Sequence, residues 1–343
     1  MRRILLVGLG RSNKEVVKKL KQNTVFYIHA DSYNEEDMAF IQSNKLIIFD
    51  STQDISTIDI VVKVPGIPLT HPLIIQAKAK KVKVVTEIDI AYDLAPKSRY
   101  IVITGSNGKS TTTMLIFKAL SEKYPDVRLA GNIGLPLINE IDGANESTIF
   151  VLELSSYQLE TMENLKPEVV VMTNLISTHL EYHGSYNKYV KAKLKSMKNK
   201  PKLVIIPDDD SNINKEYHKI SQLTEKLVVV DKNLLDCAKF PLKGDHNKLN
   251  YAFAYTVTKY FKLSKTDFKR AMINYGGLEH RMELVKSKRI TIINDSKSTN
   301  IESTLRALSA FESGVVIIGG QHISQNYSIL KKFPNYIFIT YQD

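Results

Sequence analysis

The sequence predicts an α/β protein of three consecutive α/β units. A Rossmann-like unit spans 1–95, a central unit with a mostly parallel sheet spans 96–278, and a truncated Rossmann-like unit spans 279–343. Three observations carry this. Short apolar runs of β type alternate with helical patterns, as parallel architecture requires. Two glycine-containing turns each follow a strand pattern and open a helix pattern. Two breaks, at Leu94-Ala95-Pro96-Lys97 and at Gly276-Gly277, divide the series.

In chain order, 4–9 reads as a strand, 13–22 as a helix and 25–29 as a strand, with further strands at 45–49, 60–63 and 83–86. The central unit opens with a strand at 100–103, a Gly-rich turn and a helix from 109 to about 122. Strands follow at 147–152, 168–173, 202–206 and 226–230, then helices at 248–261 and 265–273. Ser264 with Asp267 makes an N-terminal cap for the second of these helices. The tail carries strands at 290–293, 315–318 and 336–339 with helices between.

Composition narrows the function classes. The 343 residues suffice for two or three domains, and no apolar run approaches a membrane span of about 20 residues, so no membrane insertion is expected. The apolar stretch after Arg2-Arg3 is short and ends at glycines, which argues against a signal peptide. Cys237 is the one cysteine, which excludes a disulfide framework and a cysteine zinc cluster. Both facts fit a cytoplasmic protein. The net charge of +11 comes from lysines spread along the whole chain, a compositional bias and not a focused patch, so no nucleic-acid partner is expected.

The motif with the sharpest chemistry is Thr104-Gly105-Ser106-Asn107-Gly108-Lys109-Ser110-Thr111, between a strand and a helix. Glycines let backbone N–H groups turn toward phosphate oxygens, and the helix N-terminus adds its dipole. Lys109 would reach the β- and γ-phosphates of ATP, and the Ser110 hydroxyl would ligate Mg²⁺, which makes the central unit a P-loop ATPase domain. The plainer alternative is a strand–turn–helix with a surface lysine. The first loop, Gly8-Leu9-Gly10-Arg11-Ser12-Asn13, lacks the third glycine of a dinucleotide fingerprint, and anion binding and a purely structural turn are equally open there. Asp31-Ser32 would meet a ribose or uracil, or would cap a helix.

Beyond this loop, further segments resemble one family in order: Gly131-Asn132-Ile133-Gly134-Leu135-Pro136, Leu152 to Leu159 (LELSSYQL), Asn174 to Gly184 (NLISTHLEYHG), Tyr189 to Lys193, Gly244 to Asn250 (GDHNKLN), Leu278 to Glu283 (LEHRME) and Ile293 to Asn300 (INDSKSTN). The chain resembles the Mur ligases. The NDSKSTN segment is most similar to the branch that adds D-glutamate. Upstream, Val64-Pro65-Gly66-Ile67-Pro68 resembles the family's SPGI loop.

The resemblance implies ATP-dependent ligation of D-glutamate to UDP-N-acetylmuramoyl-L-alanine through an acyl phosphate, in peptidoglycan precursor synthesis, with Mg²⁺. It implies that Gly105, Ser106, Asn107, Gly108, Lys109, Ser110 and Thr111 hold the triphosphate. Asn247, Asn250, Arg281 and Asp295 would hold the rest of the nucleotide. Asn247 and Asn250 lie three apart on one helical face, and their amides suit an adenine edge or N-terminal capping. Ser110, Glu153, His179 and Lys193 would serve the metal, and Lys109, Lys193, His179 and Lys297 the chemistry. Gly10, Ser12, Asp31, Ser32, Pro65, Gly66, Asn132, Ser155, Ser156, His183 and Thr299 would hold the substrate. Lys193 corresponds to a lysine that the family carbamylates; by spacing alone it is one of four lysines on a solvated helix, with Lys188, Lys191 and Lys195.

The sequence also departs from the family. Val64 replaces the loop serine, removing one hydrogen bond expected with the nucleotide substrate. Thr178 and Glu181 replace aspartates flanking His179. Ile323 stands where the family pairs a lysine with a glutamate carboxylate. The third unit is shorter than the family's, which leaves open a natural truncation, a fragment, or completion by a second chain or oligomer. The alternative function is therefore a nucleotide-binding homologue that has lost D-glutamate ligation or needs a second chain for it.

Overall fold

The computed structural model describes residues 1–242, 244–273, 275–277, 279–280, 282–285, 289–298, 301–319 and 327–341, the side chains of 302, 306 and 341 excepted. Arg281, Thr299 and Ile323 lie outside the described residues.

The first unit runs β1 (Arg2–Val7), α1 (Arg11–Lys19), β2 (Thr24–His29), α2 (Glu35–Ser43), β3 (Ile47–Ile48), β4 (Ile60–Lys63), α3 (Pro72–Ala79), β5 (Lys83–Val85) and α4 (Glu87–Leu94). Its strands form a parallel sheet in the order β3-β2-β1-β4-β5. β1 is buried over 4–7 and β4 over its whole length, so apart from Lys63 their buried stretches read as continuous apolar runs and not as alternating ones.

The second unit runs β6 (Arg99–Thr104), α5 (Lys109–Ser121), β7 (Val127–Gly131), α6 (Leu137–Glu140), β8 (Ile149–Glu153), α7 (Ser156–Leu159), β9 (Val169–Met172), α8 (Leu180–His183), α9 (Tyr186–Leu194), β10 (Leu203–Pro207), α10 (Ser211–Gln222), β11 (Leu227–Val230), α11 (Asp245–Tyr260) and α12 (Lys265–Ile273). Its parallel sheet has the order β11-β10-β9-β6-β8-β7. β6 sits centrally, and chain order reverses between β8 and β9 on either side of it. Open α/β sheets bind ligands at the carboxyl ends of strands at such a switch point.

The break expected at Leu94–Lys97 is not a loose linker. Ala95 and Ser98 are buried, and the Tyr100 hydroxyl donates to the Ala95 carbonyl at 2.7 Å. One apolar cluster runs from Ile4 and Leu6 through Ile88, Ile90 and Tyr92 to Tyr100, Phe150 and Val170, joining both sheets. Two buried carboxyls of α4 reach into the second unit. Glu87 accepts from the Ile138 amide at 3.1 Å, and Asp89 accepts from the Asn164 amide at 2.6 Å.

The third unit comprises β12 (Glu283–Val285), β13 (Ile292–Asn294), α13 (Ile301–Leu308), β14 (Gly314–Gly319) and β15 (Tyr336–Tyr341). Among the described residues it holds two two-stranded sheets, antiparallel β12-β13 and parallel β14-β15. The sequence reading expected three strands here; β12 is the addition. Val315, Ile317 and Ile337 of β14 and β15 are 61%, 75% and 65% exposed, and among the described residues no apolar core covers this pair.

Candidate active site

The turn after β6 follows from its glycines. Gly105 and Gly108 have φ of +141° and +80°. A Cβ on Gly105 would lie 2.0 Å from Thr173 Oγ1, and one on Gly108 would lie 2.8 Å from Asn250 Oδ1. Only glycine fits both demands. The loop is held open from the β9 side. Asn174 Oδ1 accepts from the amides of Ser106 (3.2 Å) and Asn107 (2.9 Å), and Thr173 Oγ1 donates to the Asn107 carbonyl at 2.6 Å. The Ser106 hydroxyl lies 2.6 Å from the Tyr189 hydroxyl. Lys109 opens α5 and folds its ammonium onto the Ser106 carbonyl at 2.7 Å, at the mouth of this turn.

One cleft brings Asn107, Gly108, Thr111, Asn247, Asn250 and Asp295 together. Asn247 and Asn250 are not solvent-facing caps, because α11 begins at Asp245 and both side chains are buried. Asn250 accepts from the Thr112 hydroxyl at 3.1 Å and donates to Asn247 Oδ1 at 3.0 Å, so it also anchors the phosphate-loop helix. Asp295 lines the cleft while its oxygens accept from the Met282 amide (3.0 Å) and the Ser298 hydroxyl (2.5 Å). Lys297 is exposed in the same turn and does not line the cleft. The sequence reading missed Asn174, Asp210 and Lys232 on the walls; none lies in a motif whose spacing announces phosphate chemistry.

A second cleft, between the first two units, is lined by Gly10, Ser12, Pro65, Asn132 and Ser155, with Glu87 at its wall. Val64 closes over the first loop: a Cβ on Gly8 would lie 2.5 Å from its Cγ2. Ser155 caps α7 in a reciprocal box with Gln158. Ser156 and His183 lie beneath the cleft, with Oγ and Nε2 2.9 Å apart, and do not line it. Gly66 is exposed nearby, and Ser32 is exposed after β2. Asp31 stands with His29 and His71, their ligand atoms within 4.8 Å of one another.

Between the clefts lies the ionisable centre. Glu153, at the end of β8, is buried; Oε1 accepts from Asn132 Nδ2 at 2.7 Å, and Oε2 has no hydrogen-bonding partner among the described residues. Lys193 corrects the picture of a solvated helix. It is 2% exposed, and its Nζ donates to the Gly105 carbonyl at 2.7 Å. Burial, and then Lys109, hold its ammonium well below the usual lysine range, with Glu153 opposing. His179 begins α8 in a left-handed conformation at φ +58°. Burial lowers its pKa, with Lys109 and Lys193 adding to the fall and Glu181 resisting it. Ser110 is buried in the first turn of α5.

An oxygen-rich set with one buried, unpartnered carboxylate oxygen suits a hard divalent cation. Ser110 and Glu153 fit Mg²⁺ on these grounds.

Residues 103–258 match the Mur ligase middle domain. The UDP-N-acetylmuramoylalanine--D-glutamate ligase of Oenococcus oeni is 32% identical over 93% of this chain and 76% of its own length. The chain belongs to the Mur ligase family. The enzyme of the same name from Caldicellulosiruptor bescii is 31% identical over 92% of this chain and 76% of its own. Among solved structures, a Mur ligase of Acinetobacter baumannii (MurF) aligns with a TM-score of 0.60 at 15% identity, over 92% of this chain and 73% of that one. MurF ligase from Thermotoga maritima in complex with ADP aligns at 0.58 and 16% identity, over 93% and 78%. At those identities the structural likeness establishes the shared Mur ligase fold.

Proposed function

We propose that this Mur ligase joins D-glutamate to UDP-N-acetylmuramoyl-L-alanine with conversion of ATP to ADP and phosphate, as a cytoplasmic step of peptidoglycan precursor synthesis. The observation that carries the reading is the buried centre of Glu153 and Lys193 beside the 105–110 loop, set between two clefts. The relatives' names supply the two substrates.

In the first step a substrate carboxylate oxygen attacks the γ-phosphorus, and ADP leaves. In the second, the amine of D-glutamate attacks the acyl phosphate carbon, phosphate leaves, and the amine loses its proton. Little covalent chemistry falls to the protein; positioning and charge neutralisation dominate. The loop amides and Lys109 hold the triphosphate. Asn247 and Asn250 face the base and Asp295 the ribose, and the role that the resemblance gives Arg281 and Lys297 is contact with the phosphates. Gly10, Ser12, Asp31, Ser32, Pro65, Gly66, Asn132 and Ser155 hold the UDP-sugar, with Ser156 and His183 supporting them from beneath, and the role that the resemblance gives Thr299 is contact with the acyl or glutamate end. Ser110 and Glu153 would hold one Mg²⁺ and His179 would help with a second, and the metal would supply charge neutralisation where carboxylate and phosphate meet. The Lys193 amine, whose hold on a proton burial weakens, suits reaction with CO₂ to a carbamate with release of one proton to solvent; the remaining N–H would still donate to the Gly105 carbonyl, and the carbamate would supply an anionic oxygen ligand for a metal.

One observation favours the second reading, a nucleotide-binding relative that has lost ligation or needs a second chain: Val315 and Ile317 of β14 and Ile337 and Ile339 of β15 are exposed. Phosphate release with Mg-ATP and UDP-N-acetylmuramoyl-L-alanine, with and without D-glutamate, decides between the two. Mass spectrometric detection of the D-glutamyl product supports ligation. Bound nucleotide with no product favours the second reading.

A further inference from the structure

A cluster outside both clefts joins the first unit to the second. Lys63, the last residue of β4, is fully buried. Its Nζ donates to the carbonyls of Ile67 (2.8 Å) and Pro65 (3.2 Å) and lies 3.0 Å from Glu160 Oε1 and 3.3 Å from the Tyr182 hydroxyl. Tyr182 donates to the Glu160 carboxylate, and its oxygen lies 2.9 Å and 3.1 Å from the carbonyls of Ile67 and Pro65. Glu160 Oε2 faces His183 Nδ1 at 3.9 Å. Three segments from distant parts of the sequence meet here: the 64–67 loop, the end of α7 and α8.

The proton count closes. The Lys63 ammonium brings three protons to two carbonyls and a carboxylate, and the tyrosine brings one more to that carboxylate. A buried ion pair of this kind adds little net stability, since desolvation offsets the Coulombic gain; selecting one arrangement over others is its better use. The arrangement selected concerns the second cleft, because Val64 and Pro65 line it on one side and Ser155, just ahead of α7, on the other. We propose that Lys63, Glu160 and Tyr182 are positioning residues that fix the 64–67 loop against α7 and α8, so that the second cleft keeps the shape that grips its UDP-sugar. This rests on the reading of that cleft given above.

Two variants test it. Lys63→Met with Glu160→Leu removes both charges together, and Tyr182→Phe removes a single hydroxyl. Titration calorimetry with UDP-N-acetylmuramoyl-L-alanine and, separately, with Mg-ADP reads both clefts in each protein. The double variant is expected to bind the UDP-sugar roughly tenfold more weakly, and Tyr182→Phe about threefold more weakly, with ADP affinity unchanged in both. Unchanged UDP-sugar affinity overturns the proposal. Equal weakening toward both ligands also overturns it, because that is general damage and not positioning. Should the double variant fail to fold, Tyr182→Phe decides alone. A wild-type protein that binds no UDP-sugar removes the reading of the cleft and this proposal with it; a wild type that binds, with variants that bind equally well, removes this proposal alone.

Discussion

At Lys193 a primary amine lies 2.7 Å from a carbonyl and 4.8 Å from the Tyr189 ring, shielded from water. Its lowered pKa has a thermodynamic sign. At neutral pH the unfolded chain holds this proton and the folded chain resists it, so the residue costs stability, and the cost grows as pH falls. In CO₂-free buffer, Lys193→Met is expected to melt higher than wild type, with a wider gap at pH 6 than at pH 9; a gap of the opposite slope would contradict the buried, neutral amine. The same position serves activity. Lys193→Ala should lose on the order of 10²-fold in ligation rate, with partial rescue by short carboxylates, and undiminished turnover would sink the carbamate. Lys109→Ala should abolish ligation and reduce phosphate release by about 10²-fold or more; ligation that survives would remove the phosphate-loop assignment. Of these residues Lys109 was legible from its motif. The burial of Lys193 was not, because nothing in the Lys188–Lys195 spacing separates it from its solvated neighbours.

Helix α4 raises the matter of elements. Six of its eight residues are buried, so it has no apolar stripe to set against a polar face, and the sequence reading passed over it. The short helices α6, α7 and α8 span four residues each and were missed for want of any period. Most strands were legible because β4, β6 and β9 carry apolar runs at 60–62, 100–103 and 169–172, whereas β7, only partly buried and holding Arg128, was missed. Burial lifts the Glu87 carboxyl of α4 to about 7 and the Asp89 carboxyl to about 6. A carboxyl raised this way binds its proton more tightly when folded. Its contribution is complete below the unfolded value and is lost as pH rises toward 7. Glu87→Gln should therefore match wild type near pH 4 and exceed it above pH 7 by about 1–3 kcal/mol in denaturant unfolding. A difference that does not vary with pH would show that Glu87 is ionised throughout.

For the whole molecule, the distribution of burial sets the order of opening. β6, β8, β9 and β10 are buried almost end to end, while β14 and β15 are largely exposed. Amide hydrogen exchange should be fast at 314–319 and 336–341 and slow at 101–104 and 169–172. Equal protection in both regions would mean that the third unit is sheltered in solution by something beyond these residues. The alternation of strand and helix made the three-unit plan legible. The continuity of the core across the first two units was not, since it depends on one apolar cluster whose members range from Ile4 to Ile220.

That shared core has a mechanical consequence. Two buried carboxyls and a single apolar cluster weld the first sheet to the second, whereas the chain leaves α12 for the third unit through Gly276-Gly277, the latter at φ +93°. Bending at the first joint would break buried contacts, whereas turning at the glycine pair meets less steric resistance.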